Sequence, residues 1–541
     1  MRSPARPNQS KRQVSTGSSI PAPVGGWDAV SALADMPEDR AVVLENWFPS
    51  TTDVRVRRGH QTHAGSMGSG VVDTLMVYNG LTVAASKMFA VTDSKIYDVS
   101  ASGVAVVTTE TGLANNRWQY INFTTAGGKF LFACNGADNA LHFNGSVWAE
   151  PAITVVTSSD IINVNAHKGR IWGVLKDSTK AFYLPTGAVA GAATTFELGG
   201  LFTQGGFLVA MATWTRDGGS GTDDLAVFIS SRGQVAVYAG TDPASASTWE
   251  LIGVYDVGPP IGYRCFVKVG GDLALINIDG VLPLSKSLNL DRATQATVAI
   301  TANINNAMND AARSYKDNFG WELTPYAKGT MAILNVPIQE GQSQQQYVMN
   351  TITGAWCKFI GMNSNTWAVF KDNLYFGGND GLVYQADTTG LDVLTPIDAI
   401  GQGSYNYYKS RGVLKQWKML QPLLTTDSDA RPAIGISTDF KDNASLGTPS
   451  SSQIPSALYD DAIYDSDVYA VEGRTVADWT SISGIGQCAA IHFRARTGRE
   501  SGLSAWGSAL WGVDVWSASS SGDVVMRLNG FNVIHENGGF F

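Results

Sequence analysis

The side chains that could do chemistry are few and widely spaced. Asp460, Asp461, Asp465 and Asp467 form an acidic, tyrosine-rich stretch dense enough to suggest calcium. The stretch lacks the glycine-centred loop and spaced bidentate glutamate of an EF-hand, so it reads as a solvated loop. Asp427 and Asp429 read the same way. The six histidines form no HExxH or HxH pair. His60 and His63 are the nearest neighbours, and without a third ligand close by they read as a surface loop pair. Cys134, Cys265, Cys357 and Cys488 are far apart and show no CxxC spacing, the pattern of buried thiols.

Catalytic signatures are missing as well. There is no G-x-S-x-G elbow, P-loop or Rossmann fingerprint. TDPASASTW (241–249) is the nearest approach to the aspartate box of sialidase-like propellers, but Ala244 stands where the aspartate is needed. The expectation is a non-enzyme without cofactor or bound metal. Two groups remain as candidate contacts. Trp506, Trp511 and Trp516 lie close together and could stack sugars, meet another subunit or fill a sandwich core. Arg55, Arg57 and Arg58 follow or alternate with Val54 and Val56, giving one charged strand face. An exposed face or an ion pair between subunits suits it better than a grip on DNA phosphates.

These residues must be carried by β-structure. A short apolar strand, a Gly/Asn/Asp turn and a second apolar strand recur through the first 400 or so residues. Examples are SKMFAVTDSKIYDVS (86–100), DLAVFISSRGQVAVYAG (224–240) and NLYFGGNDGLVYQAD (373–387). Turns fall near Asp93, Asn135–Gly136, Asp177, Ser231–Gly233, Asp279–Gly280, Thr353–Gly354 and Asp380–Gly381. Hairpins repeated at this spacing predict four-stranded propeller blades, six or seven of them and irregular. The longer gap after Asp279 holds Ile300, Ile304, Ala307, Met308 and Ala311 on one helical face, predicting a short helix near 300–314.

The fold class expected is therefore all-β. Residues 1–26, rich in Ser, Pro, Gly and Arg, form an extended N-terminal arm, either a free tail or a strap docked on a neighbour. Residues 27–395 form the β-propeller, and the longer strands of 396–541 form a C-terminal β-sandwich-like domain. The 58 glycines and the 16% of charged residues suit a turn-rich sheet protein. A net charge of −9 argues against tightly held nucleic acid but suits a wall past which DNA slides. No run reaches the length of a membrane-spanning helix, and the polar N-terminus predicts no secretory signal.

In phrasing and order the chain resembles the tail nozzle, or tail tubular protein B, family of short-tailed bacteriophages. The likeness is carried by 22–59 (APVGGWDAVSALADMPEDRAVVLENWFPSTTDVRVRRG), by 225–285, by the run from NVPI (335–338) through 387, and by the closing LNGFNVIHENGGFF. It implies a structural virion protein: a homo-oligomeric ring, a hexamer, below the head-to-tail adaptor ring. It further implies neighbouring tail fibre or spike proteins, and a lumen through which viral DNA is retained and ejected without sequence-specific binding. Assembly would take place in the host cytoplasm. The resemblance brings no active-site residues. The alternative is a propeller-based carbohydrate-binding adhesin or receptor-recognition tail protein.

Overall fold

The computed structural model describes residues 15–217, 222–426, 431–441, 446, 449, 474–497 and 526–540. The chain divides into two compact units. One is Arg58–Val393; the other combines Met1–Arg57 with Leu394–Phe541.

The first unit is a β-propeller with seven blades among the described residues. Blade 1 is Thr74–Tyr78, Lys87–Thr92, Lys95–Asp98 and Val106–Thr111, paired antiparallel in chain order. Blade 2 runs from Gln119–Thr125 to Trp148–Ala149, blade 3 from Ile161–His167 to Thr194–Glu197, and blade 4 from Leu208–Asp217 to Trp249–Asp256. Blade 5 keeps three strands, from Phe266–Val269 to Gly280–Pro283. Helices follow at Leu284–Ser287, Arg292–Val298 and Asn305–Tyr315. Blade 6 is Glu322–Tyr326 to Trp356–Phe359.

Blade 7 closes the ring with a strand from far away in sequence. Ser364–Phe370, Asn373–Gly378 and Val383–Ala386 take His60–Gly65 as their fourth strand, with Ala386 opposite His60 and Val383 opposite Ala64. Gly59 makes the approach possible. Its N–H donates to Thr389 O (2.6 Å), and a Cβ there would lie 1.9 Å from Leu391 O.

Period-2 alternation explains why the blades stack. Met76 and Tyr78 face blade 2, where they pack with Trp118, Leu131 and Phe143. Leu75 and Val77 face blade 7 and pack with Phe370 and Tyr375. The inner strand of blade 1 thus has two apolar faces, and Leu75–Tyr78 reads as a continuous hydrophobic run. Further shared clusters join blades 2 and 3, 3 and 4, and 4 and 5.

Six of the seven expected turns connect the second and third strands of their blades and therefore share one rim of the propeller. Thr353–Gly354 does not. It joins the third and fourth strands of blade 6, on the opposite rim, and the second-to-third turn of that blade is at 340–342. The long gap after Asp279 thus reflects the helices of blade 5 plus a half-blade offset. The expected helix is present as Asn305–Tyr315, with Ile304, Met308 and Ala311 buried.

The second unit corrects the expected boundaries. Residues 27–57 do not belong to the propeller. Arg40–Glu45 pairs with Asp398–Gly403, which continues through Ala489–Arg496 to Ala433–Thr438. Val54–Val56 pairs with Trp47–Pro49 and with Met526–Phe540. Met526–Phe540 also lies along Val413–Thr426. The described part of the N-terminal arm is docked within its own chain: Ser15–Pro21 pairs with Glu536 through Gly530. Trp47 and Phe493 meet edge-on at 5.5 Å, and Phe493 and Phe531 at 5.4 Å, joining the two sheets of this unit. The unit is sandwich-like, but both chain ends build it, because the partners of its N-terminal strands lie beyond residue 393.

Candidate functional site

The sequence-predicted contacts do not form one site. Trp506, Trp511 and Trp516 lie outside the described residues, as do Asp427, Asp429 and the 460–467 acidic stretch. Arg55 is half-buried, with its guanidinium 5.1 Å from the Phe48 ring centre. Arg57 lies past the strand end and is buried, with Nε donating to Asn46 Oδ1 (2.8 Å), so it is not a surface contact. Arg58 is exposed. His60 and His63 are not a surface loop pair. Both are buried on the closing strand: His60 Nδ1 lies 3.0 Å from Asp392 Oδ1, and His63 Nε2 lies 2.9 Å from Val99 O. Burial holds the His63 imidazole below its ordinary pKa. The four cysteines are buried and free, and burial pushes the Cys265 thiol up to about 12.

The propeller axis instead holds two cavities. One, about 400 Å³, is lined by inner-strand residues, among them Tyr120, Asn163, Met211, Glu322 and Trp367. The other, about 340 Å³, opens at the rim where the chain enters the inner strands, and is lined by residues 115, 117, 119, 135–137, 162, 176, 262–264 and 316–321. Gln119, Tyr263 and Arg264 line both, so Arg264 stands between mouth and channel.

Arg264 reaches across the axis. Nη1 donates to Glu322 Oε2 (2.8 Å) and Thr366 Oγ1 (3.1 Å). Nη2 donates to Asp73 O (3.3 Å), Thr74 Oγ1 (3.2 Å) and Trp118 O (3.3 Å). One guanidinium from the start of blade 5 therefore ties together the entries of blades 1, 2, 6 and 7. The fixed fork of an arginine suits this, because its donors diverge in one plane. Burial pushes the Glu322 carboxyl up despite the pull of Arg264, and its second oxygen takes the Trp367 backbone N–H. Burial likewise raises Asp73, against Arg117 and Arg264.

The mouth is built by loops pinned from beneath. Trp321 Nε1 donates to Tyr315 O (2.9 Å) and Asn318 Nδ2 to Pro337 O (2.9 Å), holding 316–321 against blade 6 and the helix. Phe319 has the Arg117 guanidinium 4.4 Å and the Arg264 guanidinium 5.1 Å from its ring centre. Arg117 is paired with Glu340. Asn115 and Asn135 spend their amides on each other's carbonyls and on Asp138. Lys176, Lys316 and Tyr263 are exposed at the rim. Sequence reasoning missed this cluster. Its only local signals are the polar and aromatic interruptions NNRW, GYRC and YKDNFGW immediately before inner strands.

Among the described residues no group of three or more His, Cys, Asp or Glu side chains could hold a metal ion, and no helix is long and apolar enough to cross a membrane. No family model matches the chain, and no curated protein matches it. Solved structures with partial likeness include BBS1N in complex with ARL6DN, at 14% identity over 41% of this chain and 67% of that one, with a TM-score of 0.27. The computationally designed Ika8 protein matches at 10% identity over 64% and 96%, with a TM-score of 0.35. Raptor of Chaetomium thermophilum matches at 10% over 61% and 29%, with a TM-score of 0.37. At these scores they say nothing of function. The class of the molecule, an all-β propeller protein, rests on its own strand pairing.

Proposed function

We propose that the chain is a structural subunit of a closed ring in a phage tail, a nozzle of the short-tailed type through which the genome is retained and released. The observation that supports this reading is a pair of apolar propeller edges. Val106 and Val107 on the outer strand of blade 1 are 64% and 51% exposed, with Val104 at 76% just before them. On the outer strand of blade 4, Leu251, Ile252 and Val254 are 36%, 50% and 36% exposed. Among the described residues each strand pairs only with its inner neighbour and leaves its other edge open. Exposed apolar edge strands invite pairing with another chain.

The two edges are three blades apart, roughly 150° around an ideal seven-bladed ring. Two different faces on nearly opposite sides suit a head-to-tail contact, which generates rings when the rotation closes. The acidic balance fits a lumen that does not hold DNA. In this reading the adaptor ring, tail fibres and a hexameric count are expectations brought by the sequence resemblance. The test is native mass spectrometry of the full chain, with imaging of the assembled species. A ring at six times 57.6 kDa is expected. A monomer at every concentration, with and without an adaptor ring, would overturn it.

A further inference from the structure

The mouth of the propeller channel has features that ring assembly does not use. The chain carries a net charge of −9, yet this cavity is lined by Arg117, Lys176, Arg264 and Lys316 against one lining carboxylate, Asp317. Arg264 is consumed by its five hydrogen bonds, and Arg117 is held by Glu340 and Phe319. Lys176 and Lys316 differ: among the described residues neither ammonium forms an ion pair or a side-chain hydrogen bond. Two unpartnered cations flank a concavity of about 340 Å³, at the lower end of the roughly 300–1,000 Å³ typical of small-ligand sites.

The aromatic groups narrow the ligand further. Phe319 has guanidinium groups over its ring, so it is not free to stack. Tyr263 is 44% exposed at the rim. A part-exposed tyrosine lining the same mouth as two lysines suits a hydroxylated ring that offers a C–H face to the aromatic and an anionic group to the lysines. We propose that the propeller mouth is a binding site for a saccharide unit carrying an anionic group, a carboxylate or a phosphate. The proposal stands whether or not the chain assembles into a ring.

The test is isothermal titration of the full chain with three probes: oligogalacturonate, glucose 6-phosphate and inorganic phosphate, with a neutral galactose oligomer as control. Binding of either acidic saccharide is expected, with loss of at least tenfold in affinity in Lys176→Ala/Lys316→Ala and in Tyr263→Ala. The lysines and the tyrosine are exposed, and an unchanged far-UV spectrum and unfolding midpoint would show the fold intact. Preference for oligogalacturonate identifies a carboxylate site and preference for glucose 6-phosphate a phosphate site; both support the proposal. Equal affinity for inorganic phosphate overturns the saccharide part, equal affinity for the neutral oligomer overturns the anionic part, and no binding of any probe overturns the whole. Lys286→Ala, an exposed cation of the same unit outside the lining of the mouth, should bind as the native chain does.

Discussion

Replacing Arg264 by methionine should loosen the propeller from its axis. The methionine fills much of the arginine stem's volume but deletes all five hydrogen bonds to Glu322, Thr366, Asp73, Thr74 and Trp118. Glu322 is 7% exposed and keeps one backbone N–H, from Trp367, with its cation gone. Removing one partner of a buried ion pair costs about 3–5 kcal/mol, because the remaining charge stays desolvated. The cost depends on pH with a definite sign. The Glu322 pKa is already raised in the folded chain, and losing Arg264 raises it further. A carboxyl raised on folding loses stability as pH rises through its folded pKa, so the penalty should be larger near pH 8 than near pH 5. Arg264→Met/Glu322→Gln removes the stranded charge and should recover more than half of the loss. Equilibrium urea unfolding of the full chain, followed by tryptophan fluorescence, measures each quantity. A penalty for Arg264→Met below about 1 kcal/mol, the size of a surface pair, would refute the reasoning.

Two further outcomes follow from the geometry. His167 is buried, with Nδ1 3.1 Å from Thr213 Oγ1, and burial lowers its pKa to about 4. The unfolded chain therefore takes up this proton first as pH falls below about 6.5, and the stability held above that pH is lost progressively down to about 4, by roughly 3 kcal/mol. The unfolding free energies of native and His167→Gln chains should converge over that window, and a pH-independent gap would contradict the assignment. Gly59→Ala places a Cβ against the Leu391 carbonyl at the ring closure. It should lower the unfolding midpoint and speed amide exchange in His60–Gly65, whereas Gly17→Ala, with open space around it, should do neither.

The propeller was legible in the sequence because its hairpins are local events. An aspartate or asparagine beside a glycine, between two apolar runs, sets a turn with no help from the rest of the chain. Val54, Arg55 and Val56 alternate in burial as their types predict. The limits of the propeller were not legible. Arg40–Glu45 looks like any other strand, and only pairing with Asp398–Gly403, more than 350 residues away, assigns it to the second unit. Closure through His60–Gly65 is equally non-local. Arg57 reads as part of a charged face, but it lies past the strand end and turns inward to Asn46. The mouth was hidden for the same reason. Arg117, Lys176, Tyr263 and Lys316 come from four separate segments, and none has a spacing pattern; the closed ring alone brings them together.

If the outer strands of blades 1 and 4 are the two unlike faces of one ring contact, disabling either one should stop assembly. Val106→Asp disables the first face and Ile252→Asp the second, each at an exposed position where the fold should tolerate the charge. Native mass spectrometry should find each variant monomeric alone and a dimer when the two are mixed, since each supplies the face the other lacks. Assembly of either variant alone like the native chain, or no dimer in the mixture, would contradict the account.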